Sequence, residues 1–133
     1  MKVLIIFILI TFLFQEEYTP FKKLYEKDGL LINYVFYSEG NGVKDNGITL
    51  FLHNKNNFGI EYSFDLIFRA GKTDKYQKVD GKLKAGEKKT GSSEKLFWIP
   101  FDDKRTITEL GITNFSIKKM EPAKNITVEE TKL

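Results

Sequence analysis

Hydrophobic and polar positions alternate along several short stretches of this chain. Ile48 to Leu52 and Ile60 to Phe68 are apolar at every second position, whereas Leu30 to Tyr37 is largely apolar at both parities. Successive side chains of a strand point to opposite faces, so alternation predicts strands with one buried face. The sequence therefore predicts an all-β, antiparallel protein in which the strand at 30–37 is central or covered.

Turn residues divide the rest of the chain into further short elements. Asp45-Asn46-Gly47 predicts a tight turn, and the Asn-rich hinge from His53 to Asn57 joins the strands on either side of it. Lysines interrupt the apolar pattern at 76–83, which predicts a short edge strand. The remaining predicted elements are an exposed loop at 88–94, a strand at 95–101 that Pro100 ends, and a final strand at 112–120 with a bulge between Ile112 and Phe115.

The number and spacing of these elements predict the architecture. We expect about 6–8 strands with no long helix between them, which is typical of a two-sheet sandwich; an eight-stranded barrel is the alternative. A chain of 133 residues allows one domain, and its 12 Phe residues supply large side chains for a core without disulfides.

The N-terminal segment differs in composition from the rest of the chain. After Lys2, residues 3–14 are uncharged, and all of them except Thr11 are apolar. This stretch is too short to span a bilayer core, which takes about 20 helical residues, but it matches the apolar region of a signal peptide. We expect a signal-peptide helix at 1–15, cleaved near Gln15, with an uncleaved anchor or a buried helix as alternatives.

The other boundaries follow from turn and tail signals. Residues 16–29 are expected to be a linker or a short helix that begins at Thr19-Pro20 and places Phe21, Leu24 and Tyr25 on one face; an extended lead-in to the sheet is equally compatible. The sandwich is expected at 30–120, followed by a flexible tail at 121–133.

The chain contains no cysteine, which bears on its compartment. An export signal without disulfides differs from the usual small eukaryotic secreted domain, so we expect a secreted or periplasmic protein of a bacterial cell envelope. After cleavage we expect a monomer without a membrane span. Removal of residues 1–15 takes away one lysine and leaves a net charge of +2, too near neutral to indicate a nucleic-acid binder.

One stretch carries a family resemblance. The run L-x-L-x-N-x-N-N-x-x-I-x-Y-x-F-x-L-x-F from Leu50 to Phe68 is followed by L-x-A-G-E from Leu83 to Glu87. Together they resemble the small immunoglobulin-like or fibronectin-III-like domains of secreted bacterial proteins, over roughly residues 30–120. The resemblance implies an immunoglobulin-like β-sandwich and assigns no functional residue. The cysteine pair of antibody-type domains is absent, which excludes that subfamily.

Several chemistries are excluded by residue counts. Without cysteine there is no thiol catalysis, zinc-thiolate site or iron–sulfur cluster, and a single histidine, His53, excludes the multi-histidine zinc sites. We expect no metal, no cofactor and no enzymatic activity. Asp102, Asp103 and Glu109 are the carboxylates that a polysaccharide hydrolase or lyase would use, which is the least favoured hypothesis.

A basic segment is the first candidate for a binding surface. Between Arg69 and Lys95 nine Lys or Arg residues face four acids, a net charge of +5, with Tyr76 among them. Cations interleaved with an aromatic ring bind anionic polymers, although lysine rather than arginine argues against bidentate phosphate recognition. The candidate ligand-binding residues are Lys72, Lys75, Tyr76, Lys78, Lys82, Lys84, Lys88 and Lys89.

Aromatic and apolar residues are the second candidate. Trp98, the only tryptophan, is interpreted as a core residue or else a platform for a sugar ring. Phe51 and Ile67 have the polar-face parity of their strands and would form an exposed apolar spot if those strands paired, unless the N-terminal segment covers it.

These observations favour an exported, non-enzymatic binding or accessory module. Its partner is expected to be a protein or an anionic glycan or lipid, bound through the basic segment or a sheet edge. A structural subunit of a bacterial envelope assembly is the alternative.

Overall fold

The structure, a computed structural model, describes residues 20–121 and contains eight β-strands there. The strands are β1 (Lys22–Lys27), β2 (Leu30–Tyr37), β3 (Gly47–Asn54), β4 (Ile60–Ala70), β5 (Thr73–Leu83), β6 (Lys88–Thr90), β7 (Phe97–Trp98) and β8 (Glu109–Lys119). The part of the chain described here has no helix that is long and apolar enough to cross a membrane. The predicted signal-peptide helix at 1–15 and the tail from 122 onward lie outside the described residues.

The strands form two antiparallel sheets. One has the order β1-β2-β3-β6, with β7 also paired to β3, and the other has the order β5-β4-β8. The predicted all-β, antiparallel class is confirmed, while the immunoglobulin-like topology stays a prediction. One core lies between the sheets, and its largest contributors are Leu30, Ile32, Ile48, Leu50 and Leu52 from the five-stranded sheet and Ile60, Phe64, Leu66 and Phe68 from β4.

Alternation along β4 shows how the sequence builds this core. Its even-numbered side chains from Ile60 to Ala70 are buried, whereas Glu61 and Arg69 on the other face are exposed. Tyr62 lies over Gly81 of β5, where an added Cβ would come within 2.7 Å of the tyrosine oxygen. Burial in this position raises the pKa of Tyr62 to about 12.

The asparagine-rich hinge carries the chain from one sheet to the other. β3 extends through Asn54 and pairs with β2, whereas β4 pairs with β5 and β8, so the strands around the hinge do not pair. The Asn54 side chain is fully buried, and its Nδ2 lies 2.9 Å from the carbonyl oxygens of Phe58 and Lys84 and 3.3 Å from that of Leu83. Its Oδ1 accepts from the backbone N–H of Asn56. This one side chain therefore joins the ends of β3 and β5 to the hinge.

The segment before β2 is the extended one of the two alternatives. Residues 22–27 form β1, which pairs with β2, and no helix is present in this segment. A register shift between Lys23 and Tyr25 puts Phe21 and Tyr25 on opposite sides of the sheet: Phe21 is 5.3 Å from the ring of Phe51, and Tyr25 is 5.1 Å from the ring of Phe115 in the core. A six-residue stretch has too few positions for its apolar spacing to separate a helix from a strand.

Two other predicted elements are wrong in extent. The loop predicted at 88–94 contains β6, and the strand predicted at 95–101 pairs only at Phe97–Trp98. Lys95 adopts a left-handed conformation with φ 59°, and the Leu96 N–H bonds the Gly91 carbonyl instead of a neighbouring strand. The backbone turn at Lys95 thus shortens the strand from its N-terminal side, and Pro100, which lacks an N–H, follows its end.

The bulge in the last strand is confirmed. The register between β4 and β8 shifts between Ser63 and Asp65, opposite Asn114, whose φ is 53°. Asparagine tolerates this left-handed conformation better than most residues, and its side-chain Nδ2 donates to Asp65 at 2.7 Å. The extra residue lets both Ile112 and Phe115 point toward the core.

Candidate binding site

The eight candidate residues of the basic segment do not form one patch. Lys72 lies in the turn before β5, Lys75 to Lys82 lie on β5, and Lys84 follows that strand. Lys88 and Lys89 lie on β6 in the other sheet. The pairing of strands, which local sequence does not encode, therefore divides this segment between two sheets.

Two of these lysines join the sheets at one edge. The Lys75 Nζ donates to the Pro100 carbonyl, and the Lys89 Nζ donates to the Lys82 carbonyl, each at 2.9 Å. The first bond joins β5 to the loop after β7, and the second joins β6 to β5, so each bond links the two sheets. Both ammonium groups are thus engaged in holding the edge together, which reduces their availability to a ligand.

The lysines of β5 that point away from the core belong to a mixed surface, the charged face. It is the outer face of the three-stranded sheet, and it carries Arg69, Lys78, Lys82 and Lys118 among Glu61, Asp65, Asp74, Asp80 and Glu109. Four cations against five anions leave no positive surface, although the segment taken alone has a net charge of +5. Cross-strand neighbours from β4 and β8 supply the missing negative charge.

Opposite charges alternate across the strands of this charged face. On the central strand, Glu61 lies between Lys82 and Lys118, and Asp65 lies opposite Lys78. The pattern is that of a water-exposed sheet surface, since each central charge has an opposite charge beside it.

Arg69 shows how closely these charges are matched. Its guanidinium contacts Asp74 at 2.7 Å and Glu109 at 3.1 Å, on the two neighbouring strands. The hydrogen bond to Asp74 raises the pKa of Arg69, and the same bond lowers the pKa of Asp74. The arginine is therefore already occupied by two carboxylates and has little attraction left for a further anion.

Tyr76 and Trp98 meet in a cavity at the edge between the sheets, which we call the edge cleft. It has a volume of about 250 Å³ and is lined by Phe68, Lys75, Tyr76, Gln77, Trp98, Ile99 and Pro100. The residues come from β4 and β5 in one sheet and from β7 and the loop after it in the other. The two aromatic residues that the sequence singled out separately thus belong to one site.

The large side chains of the edge cleft differ in exposure. Trp98 packs against Phe68 of the core at a centroid distance of 6.1 Å, while Tyr76 is 64% exposed and Ile99 is 43% exposed. Trp98 accordingly serves the core and also forms part of the cleft wall. Because β7 ends at Trp98, the next residue, Ile99, leaves the sheet and reaches the rim.

Polar groups in the edge cleft are few and fixed. The Lys75 ammonium, held by the Pro100 carbonyl, lies 5.5 Å from the ring centroid of Phe101, and the Gln77 amide Nε2 donates to the Lys78 carbonyl at 2.9 Å. One cation and one amide among apolar rings can orient a ligand. Such an arrangement is suited to holding a ligand.

Two of the three acidic candidates for catalysis, Asp103 and Glu109, are held in separate ion pairs. Asp103 pairs with Arg105, whose hydrogen bond lowers the pKa of Asp103, while Glu109 pairs with Arg69 on the charged face. His53 lies on β3 opposite Leu31. Within residues 20–121, no three His, Cys, Asp or Glu side chains come together as a metal site.

Part of the edge cleft could not be found from the sequence. Lys75, Tyr76 and Trp98 were singled out by charge or ring type, but Gln77, Ile99 and Pro100 carry no comparable signal. Ile99 next to a strand-ending proline is the nearest to one, because a chain leaving a sheet edge exposes its next apolar residue.

No protein-family model matches the chain, and no curated protein or solved structure matches it either. The arguments for its function therefore come from its own geometry.

Proposed function

We propose that this protein is an exported, noncatalytic binding module whose ligand occupies the edge cleft. The observation that carries the proposal is the clustering of exposed apolar residues. Three large hydrophobic side chains are exposed in the described part of the chain, and two of them, Tyr76 and Ile99, line this one cavity. Exposed rings beside a concave site with a few fixed polar groups are typical of ligand binding.

The size of the edge cleft favours a polymeric ligand. At about 250 Å³ it is smaller than the roughly 300–1,000 Å³ typical of pockets for small molecules. It accommodates a single ring or one amino-acid side chain. We therefore propose a glycan or protein that inserts one group against Trp98 in the edge cleft, while the rest of the polymer runs along the sheet edge past Tyr76 and Ile99.

The lone tryptophan provides a direct assay. Because Trp98 lines the edge cleft and no other tryptophan is present, its fluorescence reports occupancy of this site. The full chain would be titrated with a sulfated glycan, a uronic-acid glycan, a neutral β-glucan and a panel of extended peptides. We expect one class to change the Trp98 emission saturably.

Two tyrosine variants separate this site from other surfaces. Tyr76→Ala should weaken the titration at least about fivefold, since ring stacking in such sites is worth about 1–3 kcal/mol. Tyr37→Ala is the matched control, because Tyr37 is the third exposed hydrophobic residue and lies on the other sheet. No saturable change with any probe, or equal losses in both variants, would contradict the proposal.

A structural subunit is the second candidate, and one observation favours it. β8 is an eleven-residue edge strand that, among the described strands, pairs with β4 alone. An open edge of this length can accept a strand from another chain. In that case the native protein should migrate with a larger complex, and Ile117→Pro on β8 should release it, whereas the binding module should migrate as a monomer.

A further inference from the structure

The outer face of the five-stranded sheet carries an apolar cluster that lies outside the core. We call this cluster the aromatic face and define it by Leu31, Val35, Tyr37, Phe51 and Phe97. The register aligns Val35 and Phe97 with Thr49 of β3 and places Phe51 opposite Asn33 of β2, on the side away from the core. None of the five is among the residues that pack against the core.

Ring contacts join aromatic side chains at two places on the aromatic face. Tyr37 and Phe97 meet edge to face at 5.5 Å, and Phe21 lies 5.3 Å from Phe51. Gly47 enables the first contact, because the Tyr37 ring lies across it and a Cβ there would come within 3.1 Å of that ring. An outer sheet face in water is normally polar, so a row of rings here indicates a contact surface.

Cations border one end of the aromatic face. Lys23, Lys55 and Lys88 are exposed there, and the single acid among them, Glu26, is bridged by Lys23 at 3.1 Å and Lys55 at 3.0 Å. These four residues leave a net charge of +2. The neighbouring positive charges of Lys88 and Lys55 add to burial in lowering the pKa of His53, as expected for a locally positive surface.

An unpaired polar atom lies in the middle of this surface. The Asn33 Oδ1, on β2 opposite Phe51, is shielded from solvent and accepts no hydrogen bond from the described residues. Buried acceptors are almost always paired in native proteins. Because this atom is inaccessible even to water, it does not discriminate between partners of the aromatic face.

We propose that the aromatic face docks on the surface of an anionic lipid membrane, with its rings in the interfacial layer and Lys23, Lys55 and Lys88 among the headgroup phosphates. Phenylalanine and tyrosine are suited to this layer, and lysine keeps its charge in water while its stem lies on apolar surface. Each lysine near an anionic surface adds about 1 kcal/mol of attraction. The proposal does not depend on the edge cleft, which lies at a different edge of the molecule.

An apolar stretch of the sequence lies a few residues before the same face. Residues 3–14 are apolar except for Thr11, and only residues 15–20 separate them from Phe21, whose ring is 5.3 Å from that of Phe51. Six extended residues reach at most about 20 Å. In a chain that keeps residues 1–15 and inserts them in a bilayer, Phe21 would therefore lie within this distance of the lipid.

The test uses the full chain and its co-flotation with phosphatidylcholine vesicles, with and without phosphatidylglycerol. Val35→Glu places a negative charge on the aromatic face, and Ile67→Glu is the matched control at a central, outward position of the charged face. Val35→Glu should raise the lipid concentration for half-binding to anionic vesicles at least about fivefold, while Ile67→Glu should leave it unchanged.

A second pair of variants controls for misfolding of the first pair. Lys88→Glu should weaken flotation with anionic vesicles by a similar factor, whereas Lys78→Glu on the charged face should not. Equal binding by all four variants would mean that residues outside this face mediate the attachment, and it would overturn the proposal. Equal flotation with both vesicle types, absence of flotation, or self-association that Val35→Glu abolishes without lipid would overturn it as well.

Discussion

On the charged face, the central strand β4 presents Glu61, Asp65 and Arg69 between neighbours of mostly opposite charge, whereas on the aromatic face the central strand β3 presents Phe51 beside Phe21. Both surfaces arise from the same two-residue alternation, because each is the side of a strand that the core does not use. The inward side chains of β3 and β4 are buried in the same core. Their outward side chains differ, because those of β4 suit water and Phe51 of β3 suits an apolar partner.

Alternation predicts which side chains point outward, but it does not predict whether the outer surface suits water or an apolar partner. A charged residue at an outward position can be neutralised by its cross-strand neighbours, as Arg69 is, and the surface then suits water. An apolar residue at an outward position cannot be matched to water in this way, and covering it lowers the free energy of the protein. Under the proposed membrane docking, the aromatic face is the side turned to lipid and the charged face is the side turned to solvent.

Asn54→Ala should lower the stability of the fold more than any other variant considered. The Asn54 side chain links the two sheets and thereby fixes how the two outer faces are arranged. Its Nδ2 serves three backbone carbonyls, and their loss of a donor should cost about 3 kcal/mol in the free energy of unfolding. Urea unfolding followed by Trp98 fluorescence measures this. Asn57→Ala, an exposed position in the same hinge, should change stability by less than about 0.5 kcal/mol; similar values for the two variants would refute the role given to Asn54.

Phe51→Ala and Ile67→Ala compare the central apolar residue of each outer face. Phe51→Ala removes a ring contact with Phe21 as well as apolar burial, and we expect it to cost about 1–2 kcal/mol. Ile67→Ala should cost about 0.5–1 kcal/mol, because its neighbours across the strands are Tyr76 and Gly111. Urea unfolding of both variants gives the two values. A larger loss for Ile67→Ala would reverse the difference drawn between the faces.

Arg69→Gln tests the electrostatic character of the charged face. The variant removes exposed ion pairs with Asp74 and Glu109, so we expect a small loss in the free energy of unfolding at low salt, smaller than that of Phe51→Ala. Urea unfolding in 1 M sodium chloride should remove most of this difference, since screening at that salt acts within about 3 Å. The cost of Phe51→Ala should persist in the same salt, and an Arg69→Gln penalty that also persists would show a packing role instead.

His53 provides the smallest effect and concerns the basic end of the aromatic face. Burial, followed by Lys88 and Lys55, lowers the pKa of His53 in the folded protein. The unfolded chain therefore takes up this proton at higher pH than the folded chain does, so stability should fall as the pH drops through about 6.5. Thermal unfolding between pH 7.5 and 5.5 should show a shallower decline in His53→Gln than in the wild type; parallel curves would exclude this contribution.

Much of the fold could be predicted where the pattern was redundant. The bounds of β2 matched the prediction because its whole length is apolar and turn residues flank it. The bulge in β8 was predictable because Ile112 and Phe115 are three positions apart, which alternation allows only with an extra residue. β1 remained undecided between helix and strand, since Phe21, Leu24 and Tyr25 have a helical spacing and their partner strand was unknown.

The candidate site was less predictable because it depends on pairing between distant strands. Tyr76 and Trp98 were both singled out, but they meet only because β5 and β7 lie at the same edge of different sheets. A shared apolar spot of Phe51 and Ile67 required their strands to pair directly, and this condition is not met, because β3 and β4 lie in different sheets. The strand register likewise places Lys78 and Lys82 of β5 opposite Asp65 and Glu61 of β4.

Enzymatic iodination of the two tyrosines that are exposed within residues 20–121 tests the central claim that the two sides of the domain meet different surroundings. Tyr37 is 43% exposed on the aromatic face and Tyr76 is 64% exposed on the charged face, so each reports on one side of the same molecule. When the full chain binds phosphatidylglycerol-containing vesicles, the labelling of Tyr37 should fall several-fold while that of Tyr76 stays as it is without lipid. Unchanged labelling of Tyr37 on the bound chain, or protection of Tyr76 instead, would contradict the account.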